Sequence, residues 1–384
     1  MRRFGRRRWS ITDGEPGALE PLGVVFVRDG YIAKAAALLG IAFMVYSCSE
    51  STGAVKSGPT NSVSSTPTTT IPSTDVLPAG SGPNLGPVAA IALSPEAVFA
   101  LYAPSATPGP SGVLKTRLAR IDRKSGAMLT EGPFPWATTL AVAGSSIWIG
   151  GNNQDASSRS LIRLDASTLK VLERLPLPPE TLQPLVSNIA AESNSLWLAL
   201  GSHLYRMNAS TGDTLVSRTL DGNATSIALD PSGQRLYVGI DGAALTSQAT
   251  VSEWDAATLR ELASSETGGG DLGGPQLAAG TNDVWVAFAT GMLGQVEHRR
   301  AVDLQIVPGA AARYTNAVRV FVAGGIVWAT DEMASRLMCL DPSTGAVLWS
   351  RTQVLGWVIS GDDSGLYLGD NNGVVPLPVD PRCR

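Results

Sequence analysis

The sequence predicts an all-β protein, a seven-bladed β-propeller of four-stranded antiparallel blades behind a disordered N-terminal tether. Three observations predict it: a recurring turn, a recurring strand pair that precedes each turn, and the spacing of both. The turn is clearest in "LMCLDPSTGAVLWS", Leu337 to Ser350. Apolar residues flank D-P-S-T-G on both sides, Asp341 can bond the backbone amides that follow it, Pro342 presets φ, and Gly345 supplies a positive φ, so two short strands meet at a tight turn.

The spacing recurs along the chain. An Asp or Asn stands seven residues before a Leu at Asp122/Leu129, Asp165/Leu172, Asn208/Leu215, Asp255/Leu262 and Asp341/Leu348. "QVEHRRAVDL" reads as a worn copy with Glu297/Leu304, and Asp380 in "PVDPRC" as a shortened seventh. Each turn is preceded by a small apolar strand, a brief turn and an apolar–aromatic–apolar strand, as in "LAVAGSSIWIG" and "IALDPSGQRLYVG". The aromatic column is Phe99, Trp148, Trp197, Tyr237, Trp285, Trp328 and Tyr367, at intervals of 39 to 49 residues. Four short strands per unit at that period make a propeller blade, and seven copies make seven blades. One large aromatic per repeat, set in alternating apolar strands, is what packing between blades requires; a ligand cage is the less economical reading.

From Cys339 to Trp349 the chain resembles the pyrroloquinoline-quinone-type propeller repeat, which runs close to A-x-D-x-x-T-G-x-x-x-W. The other copies keep the Asp or Asn and sometimes Thr-Gly, without that Trp. A looser similarity to surface-layer-type and quinoprotein-like seven-bladed propellers covers residues 88–384. The resemblance implies the fold and leaves the activity open, since propellers host enzymes, receptors and scaffolds. Quinone enzymes of this group have a vicinal cysteine pair and a bound calcium. No two cysteines are adjacent here, so no quinone cofactor is carried over.

The sequence divides into a targeting segment at 1–47, a Ser/Thr/Pro-rich linker at 48–87 and the propeller at 88–384. Five arginines crowd the first eight residues, and an uncharged run from Ala35 to Tyr46 follows Arg28 and Lys34. That run is shorter than the ~20 residues of a comfortable transmembrane helix and suits a signal-peptide core. The stretch before Lys34 is long for such a signal, which fits translation beginning at Val24, Val25 or Val27. Val45–Cys48, "VYSC", resembles a bacterial lipobox, and Cys48 is the one thiol placed for lipidation; the alternative is an uncleaved single-pass signal anchor. Both put the propeller on the extracytoplasmic side of the cell membrane. The linker cannot bury enough apolar surface to order itself.

Residues 1–34 carry seven Lys/Arg against four Asp/Glu, so a chain of formal charge −4 has a distinctly acidic body. That argues against nucleic acid or anionic lipid as its partner. Of three cysteines, Cys48 is the anchor, and Cys339 and Cys383 either pair, tying the last blade to the sixth, or stay separate thiols with Cys339 in the core.

Catalytic chemistry has little to draw on. His203 opens the third strand of its blade, whereas His298 is read in the turn between third and fourth strands, so the two histidines lie on opposite faces. No metal-ligand cluster, nucleophile triad or phosphate loop stands out, and "GDNNG" at 369–373 reads as a turn. Insertions fall between second and third strands, as in "YAPSATPGPSGVLKTR" and "GGNNQDASSRS", or between one blade and the next, as in "PLPPETLQPLVS", "SSETGGGDLGGP" and "PGAAARYTN". Both kinds of connection share one face, and function on repeat scaffolds resides where loops are elaborated. Candidate ligand-binding residues are therefore Trp136, Arg313, Tyr314 and Trp357, just before first strands, with Asp155 and Arg159 between second and third.

These features describe a monomeric, membrane-anchored binding module whose partner is an envelope protein, a glycan or a small molecule. The alternatives are a lyase or hydrolase using acidic residues on the elaborated face, and a scaffold whose outer blade edges hold another protein. A last expectation concerns closure. The seventh unit supplies three strands, and "TDVLPA", Thr74 to Ala79, is placed to pair with Val374–Val379 as the fourth.

Overall fold

The computed structural model describes residues 83–104, 115–135, 137–151, 160–176, 186–241, 249–267, 274–290, 293–314, 318–331, 334–352, 354, 358–362 and 365–383. They form seven antiparallel sheets in chain order. Blade 1 is β1 (Val88–Leu93), β2 (Ala97–Tyr102), β3 (Arg117–Asp122) and β4 (Met128–Pro133). Blade 2 is β5 (Ala137–Ala143), β6 (Ser146–Gly151), β7 (Ser160–Asp165) and β8 (Val171–Pro176). Blade 3 is β9 (Val186–Glu192), β10 (Ser195–Leu200), β11 (His203–Asn208) and β12 (Thr214–Thr219). Blade 4 is β13 (Asn223–Leu229), β14 (Arg235–Asp241), β15 (Thr250–Asp255) and β16 (Arg260–Glu266). Blade 5 is β17 (Gln276–Ala279), β18 (Asp283–Thr290), β19 (Leu293–Arg300) and β20 (Ile306–Tyr314). Blade 6 is β21 (Val318–Ala323), β22 (Ile326–Asp331), β23 (Arg336–Leu340) and β24 (Val347–Arg351). Blade 7 is β25 (Val358–Asp362), β26 (Gly365–Gly369) and β27 (Val374–Leu377), followed by a 3-10 turn at Pro381–Cys383.

The whole aromatic column lies in second strands, and Phe99, Trp148, Trp197, Tyr237, Trp285 and Trp328 are essentially sealed from solvent. Each belongs to an apolar cluster drawn from neighbouring blades: Trp148 joins Leu196 and Met207, and Trp197 joins Leu236 and Leu259. Two of the indoles also bridge blades by hydrogen bond, Trp148 Nε1 to the Ala209 carbonyl at 3.1 Å and Trp197 Nε1 to that of Ala256 at 2.8 Å. Burial supplies about 1.5–3 kcal/mol for each large side chain, and the bond satisfies the one polar atom of the ring.

The turns between third and fourth strands share one geometry. Asp122, Asp165, Asn208, Asp255 and Asp341 accept from backbone amides two or three residues on, as Asp341 does from Ser343 at 2.7 Å and Thr344 at 3.0 Å. The residue four positions after each takes a positive φ: Gly126, Leu169, Gly212, Leu259 and Gly345. Leucine tolerates this because Leu259 is wholly buried and Leu169 nearly so, each within a core cluster.

Blade 5 corrects the Glu297/Leu304 pairing. Leu304 carries the positive φ, and its N–H donates to Arg300, so Arg300 occupies the Asp position three residues after Glu297. A guanidinium has no acceptor, and the capping role moves to Asp303, which accepts from the Gln305 amide at 3.1 Å and pairs with Arg300 at 2.5 Å. His298 consequently lies inside β19, not in the turn. The segment "PGAAARYTN" is likewise mostly strand: β20 runs on to Tyr314, where Gly294 pairs with Tyr314 and Gln295 with Arg313.

Asp380 is also out of register with the other copies. It accepts from Arg382 N–H at 2.9 Å and starts the 3-10 turn, which carries Cys383 to blade 6 rather than into a hairpin. There Cys383 is bonded to Cys339 of β23, with the Cα atoms 5.9 Å apart.

Candidate functional site

Connections between second and third strands, and from each blade to the next, emerge on one face, here the loop face. The opposite turn face carries the tight turns. Residues of the loop face are braced by hydrogen bonds that run from one blade to its neighbour. Thr225 and Ser226 of β13 donate to the Pro275 carbonyl at 2.9 and 2.7 Å, and Asn188 of β9 donates to the Thr225 carbonyl at 3.1 Å. At the loop end of blade 1 the Tyr102 hydroxyl donates to Glu131, and Arg117 reaches the same carboxylate at 2.7 Å. The Tyr102 bond, then Arg117, holds the Glu131 carboxyl below its ordinary range, while burial and Glu131 push the Tyr102 phenol up. This carboxylate is an anion already engaged by two donors, a poor general acid and a firm structural strut.

Of the residues singled out in the sequence, Arg313 and Tyr314 end β20 at the loop face, as strand rather than connection. Trp136, Asp155, Arg159 and Trp357 lie outside the described residues, as do Cys48 and Thr74–Ala79.

The two histidines sit in different blades and at opposite strand ends. His203 is the first residue of β11, at the loop face. His298 is buried two residues before the turn of blade 5, its ring stacked on Trp285 at 4.3 Å and its Nε2 2.6 Å from Asp283. In blades 1 to 5 the residue cross-strand from the column aromatic is polar: Arg120 faces Phe99, Arg163 faces Trp148, Arg206 faces Trp197, Glu253 faces Tyr237 and His298 faces Trp285, whereas Cys339 and Pro376 take the position in blades 6 and 7. The histidine is thus one member of a structural column. Burial, ahead of the Arg235 attraction, raises the Glu253 carboxyl in that column.

The turn face holds a feature the repeats did not announce, a cleft of about 730 Å³ between blades 6 and 7. Leu340, Leu348, Leu366 and Val379 give it apolar walls, with Asp341, Asp362 and Arg382 at its edge. Each edge charge is already engaged: Asp341 caps its turn, Asp362 pairs with Arg123 and Arg382 with Asp380.

No protein-family model and no curated protein matches the chain. In structure it is similar to a chain of Kuenenia stuttgartiensis hydrazine synthase, with a TM-score of 0.58 at 12% identity, covering 79% of this chain and 99% of that one. BamB from Moraxella catarrhalis aligns with a TM-score of 0.47 at 12% identity, covering 75% of this chain and 84% of that one. In all, 1421 chains of solved structure match, and a fold shared so widely assigns no activity. The chain is a seven-bladed β-propeller.

Proposed function

We propose that this protein is an extracytoplasmic, membrane-anchored propeller that serves as a binding or interaction module at the cell envelope, engaging an envelope protein, a glycan or a small molecule through its loop face. The observation that carries the reading is the Cys339–Cys383 bond. Disulfides persist in oxidising compartments, and the apolar run ending at Cys48 addresses the chain to such a compartment. The one-sided elaboration of connections supports the loop face as the binding surface.

The test is site-specific photo-crosslinking in intact cells. Crosslinkers at Asp155 and Arg159 on the loop face are compared with crosslinkers at exposed Lys124 and Ser343 on the turn face. Adducts with one envelope component from the first pair alone are expected. Adducts from the turn face alone would overturn the assignment of the surface, and turnover of a captured small molecule would favour an enzyme.

A further inference from the structure

The column of residues that face the aromatics becomes covalent in blade 6. In blade 3 its member Arg206 reaches across to blade 4, donating to the Ala257 carbonyl at 2.9 Å. Cys339 holds the same position and reaches blade 7 through its bond to Cys383. It stands in one row of the sheet between two tryptophans, opposite Trp328 of β22 on one side and Trp349 of β24 on the other. Directly opposed residues project from the same face of a sheet, so both indoles flank the disulfide. Their rings meet edge-on at 6.3 Å, and all four residues belong to one apolar cluster.

This boundary is built differently from those that follow blades 2 and 3. Trp148 and Trp197 donate to carbonyls three residues past the cross-strand partner of the next aromatic, Ala209 after Arg206 and Ala256 after Glu253. In blade 7 the same count leads from Pro376 to Val379. There Trp328 Nε1 has no hydrogen-bond partner among the described residues, and neither has Trp349 Nε1. The chain turns aside into the 3-10 turn, which is knitted to itself: Cys383 N–H donates to the Asp380 carbonyl at 2.9 Å, and the Arg382 guanidinium to the Asp380 carboxylate at 2.7 Å. The disulfide and the packing of Val379 and Cys383 join it to blade 6. The two sulfurs are not equivalent. Cys339 is sealed from solvent, whereas Cys383 forms part of the wall of the cleft, beside Val379 and across from Leu348 and Leu366.

We infer that Cys383 is a thiol-exchange site entered through this cleft, and that the disulfide is a latch which a dithiol protein opens. A thiolate of the dithiol attacks Cys383 Sγ, the bond to Cys339 breaks, and Cys339 leaves as a thiolate that takes up a proton. The second thiolate of the dithiol then attacks its own sulfur in the mixed disulfide, and Cys383 leaves as a thiolate that is protonated in turn. Two electrons pass to this chain, which ends with two thiols, while the dithiol ends as a disulfide; the reverse exchange closes the latch. Opening releases Val379–Cys383 from blade 6, widens the cleft along β24 and lets water or a partner reach the two indole N–H groups. The turn face then offers an apolar surface that the oxidised chain keeps covered. The latch goes beyond the reading of the loop face and needs neither its partner nor the membrane anchor.

The test uses the full-length oxidised chain at neutral pH, without denaturant, and reduced thioredoxin as the dithiol. Thiols are alkylated and mapped by mass spectrometry, which separates Cys339 and Cys383 from Cys48. Both should become labelled together, and thioredoxin lacking its second active-site cysteine should be trapped on Cys383. Hydrogen exchange on the reduced sample should rise in β24 and at residues 378–383, while β2, β6, β10 and β14 keep their protection. Leu348→Trp, which fills the cleft, should slow reduction by thioredoxin severalfold and leave reduction in urea unchanged. The trapping result comes from the native sequence and holds whether or not that variant folds. Trapping on Cys339, or reduction at the native rate in folded Leu348→Trp, overturns the cleft as the entry. Reduction only in denaturant makes the bond a fixed staple, and loss of protection in every blade shows that the whole ring, rather than this boundary, depends on it; either result overturns the latch.

Discussion

The guanidinium of Arg123 grips the carboxylate of Asp362 through two 2.7 Å contacts, joining residues 239 positions apart. Arg123 also donates to Ser94 O at 3.0 Å and lies over the Tyr367 ring at 5.4 Å. These contacts pin the tight turn of blade 1 to blade 7, while Val88 and Ile91 pack with Val358 and Val374 at the same boundary. The guanidinium is buried but Asp362 is 45% exposed, so water screens the pair and its value falls to about 1 kcal/mol. Asp362→Ala should therefore lower the melting temperature by about 2–4 °C, read by calorimetry. An unchanged melting point would mean that lateral packing closes the ring by itself.

The disulfide should matter more. Cys339 and Cys383 are 44 residues apart, a loop for which chain entropy gives about 4 kcal/mol, with strain and residual structure usually reducing it. Cys383→Ser should lower the denaturant midpoint, and added reductant should bring the native chain to the same midpoint. If reductant leaves the native midpoint unchanged, the bond contributes no stability.

Leu259 reverses the usual order of small substitutions. Its φ of 50° costs about 1–2 kcal/mol for an L-residue, offset by about 1.5–3 kcal/mol of burial. Leu259→Ala loses the burial and keeps the strain, whereas Leu259→Gly loses the burial and relieves it. Both should destabilise, by about 2–4 kcal/mol, with glycine the milder by roughly 1 kcal/mol in urea unfolding. Alanine proving the milder would show that the strain is absent.

Acid should act through the turns. The Ser167 and Thr168 hydroxyls hold the Asp165 carboxyl at about 2, and Arg382 holds Asp380 at about 2, against an ordinary 3.8. Asp122, Asp255 and Asp341 are lowered as well, by the Ser125 amide, the Thr258 hydroxyl and the Ser343 hydroxyl respectively. A carboxyl depressed in the fold stabilises it above the unfolded pKa and loses that contribution as pH falls through the folded one. Melting temperature should hold from neutral pH to about 4 and drop towards pH 2. Asp165→Asn should shallow that drop, and an identical profile would remove this turn from the account.

Repetition explains why so much of the fold is legible in the sequence. A turn that needs an acceptor at its first position, and a blade interface that needs one aromatic, each leave the same mark in every copy. Legibility fails where the physical role survives with different residues. Arg300 holds the Asp position of blade 5 because Asp303 supplies the acceptor, so a search for acids finds Glu297 instead. Asp380 has the look of the turn residue but begins a 3-10 turn, because the Cys339 bond draws the chain across to blade 6. A binding surface leaves no such periodic trace, since its connections differ from blade to blade.

The most direct measurement is of Cys48. Cells producing either the native chain or Cys48→Ala are labelled with a clickable fatty acid, fractionated, and the protein weighed by mass spectrometry. The native chain should carry lipid, begin at Cys48 and sediment with membranes. Cys48→Ala should lack lipid and either accumulate at precursor mass or leave the membrane. Identical mass, processing and membrane association for the two would contradict the lipid-anchored reading and leave the uncleaved signal anchor in its place.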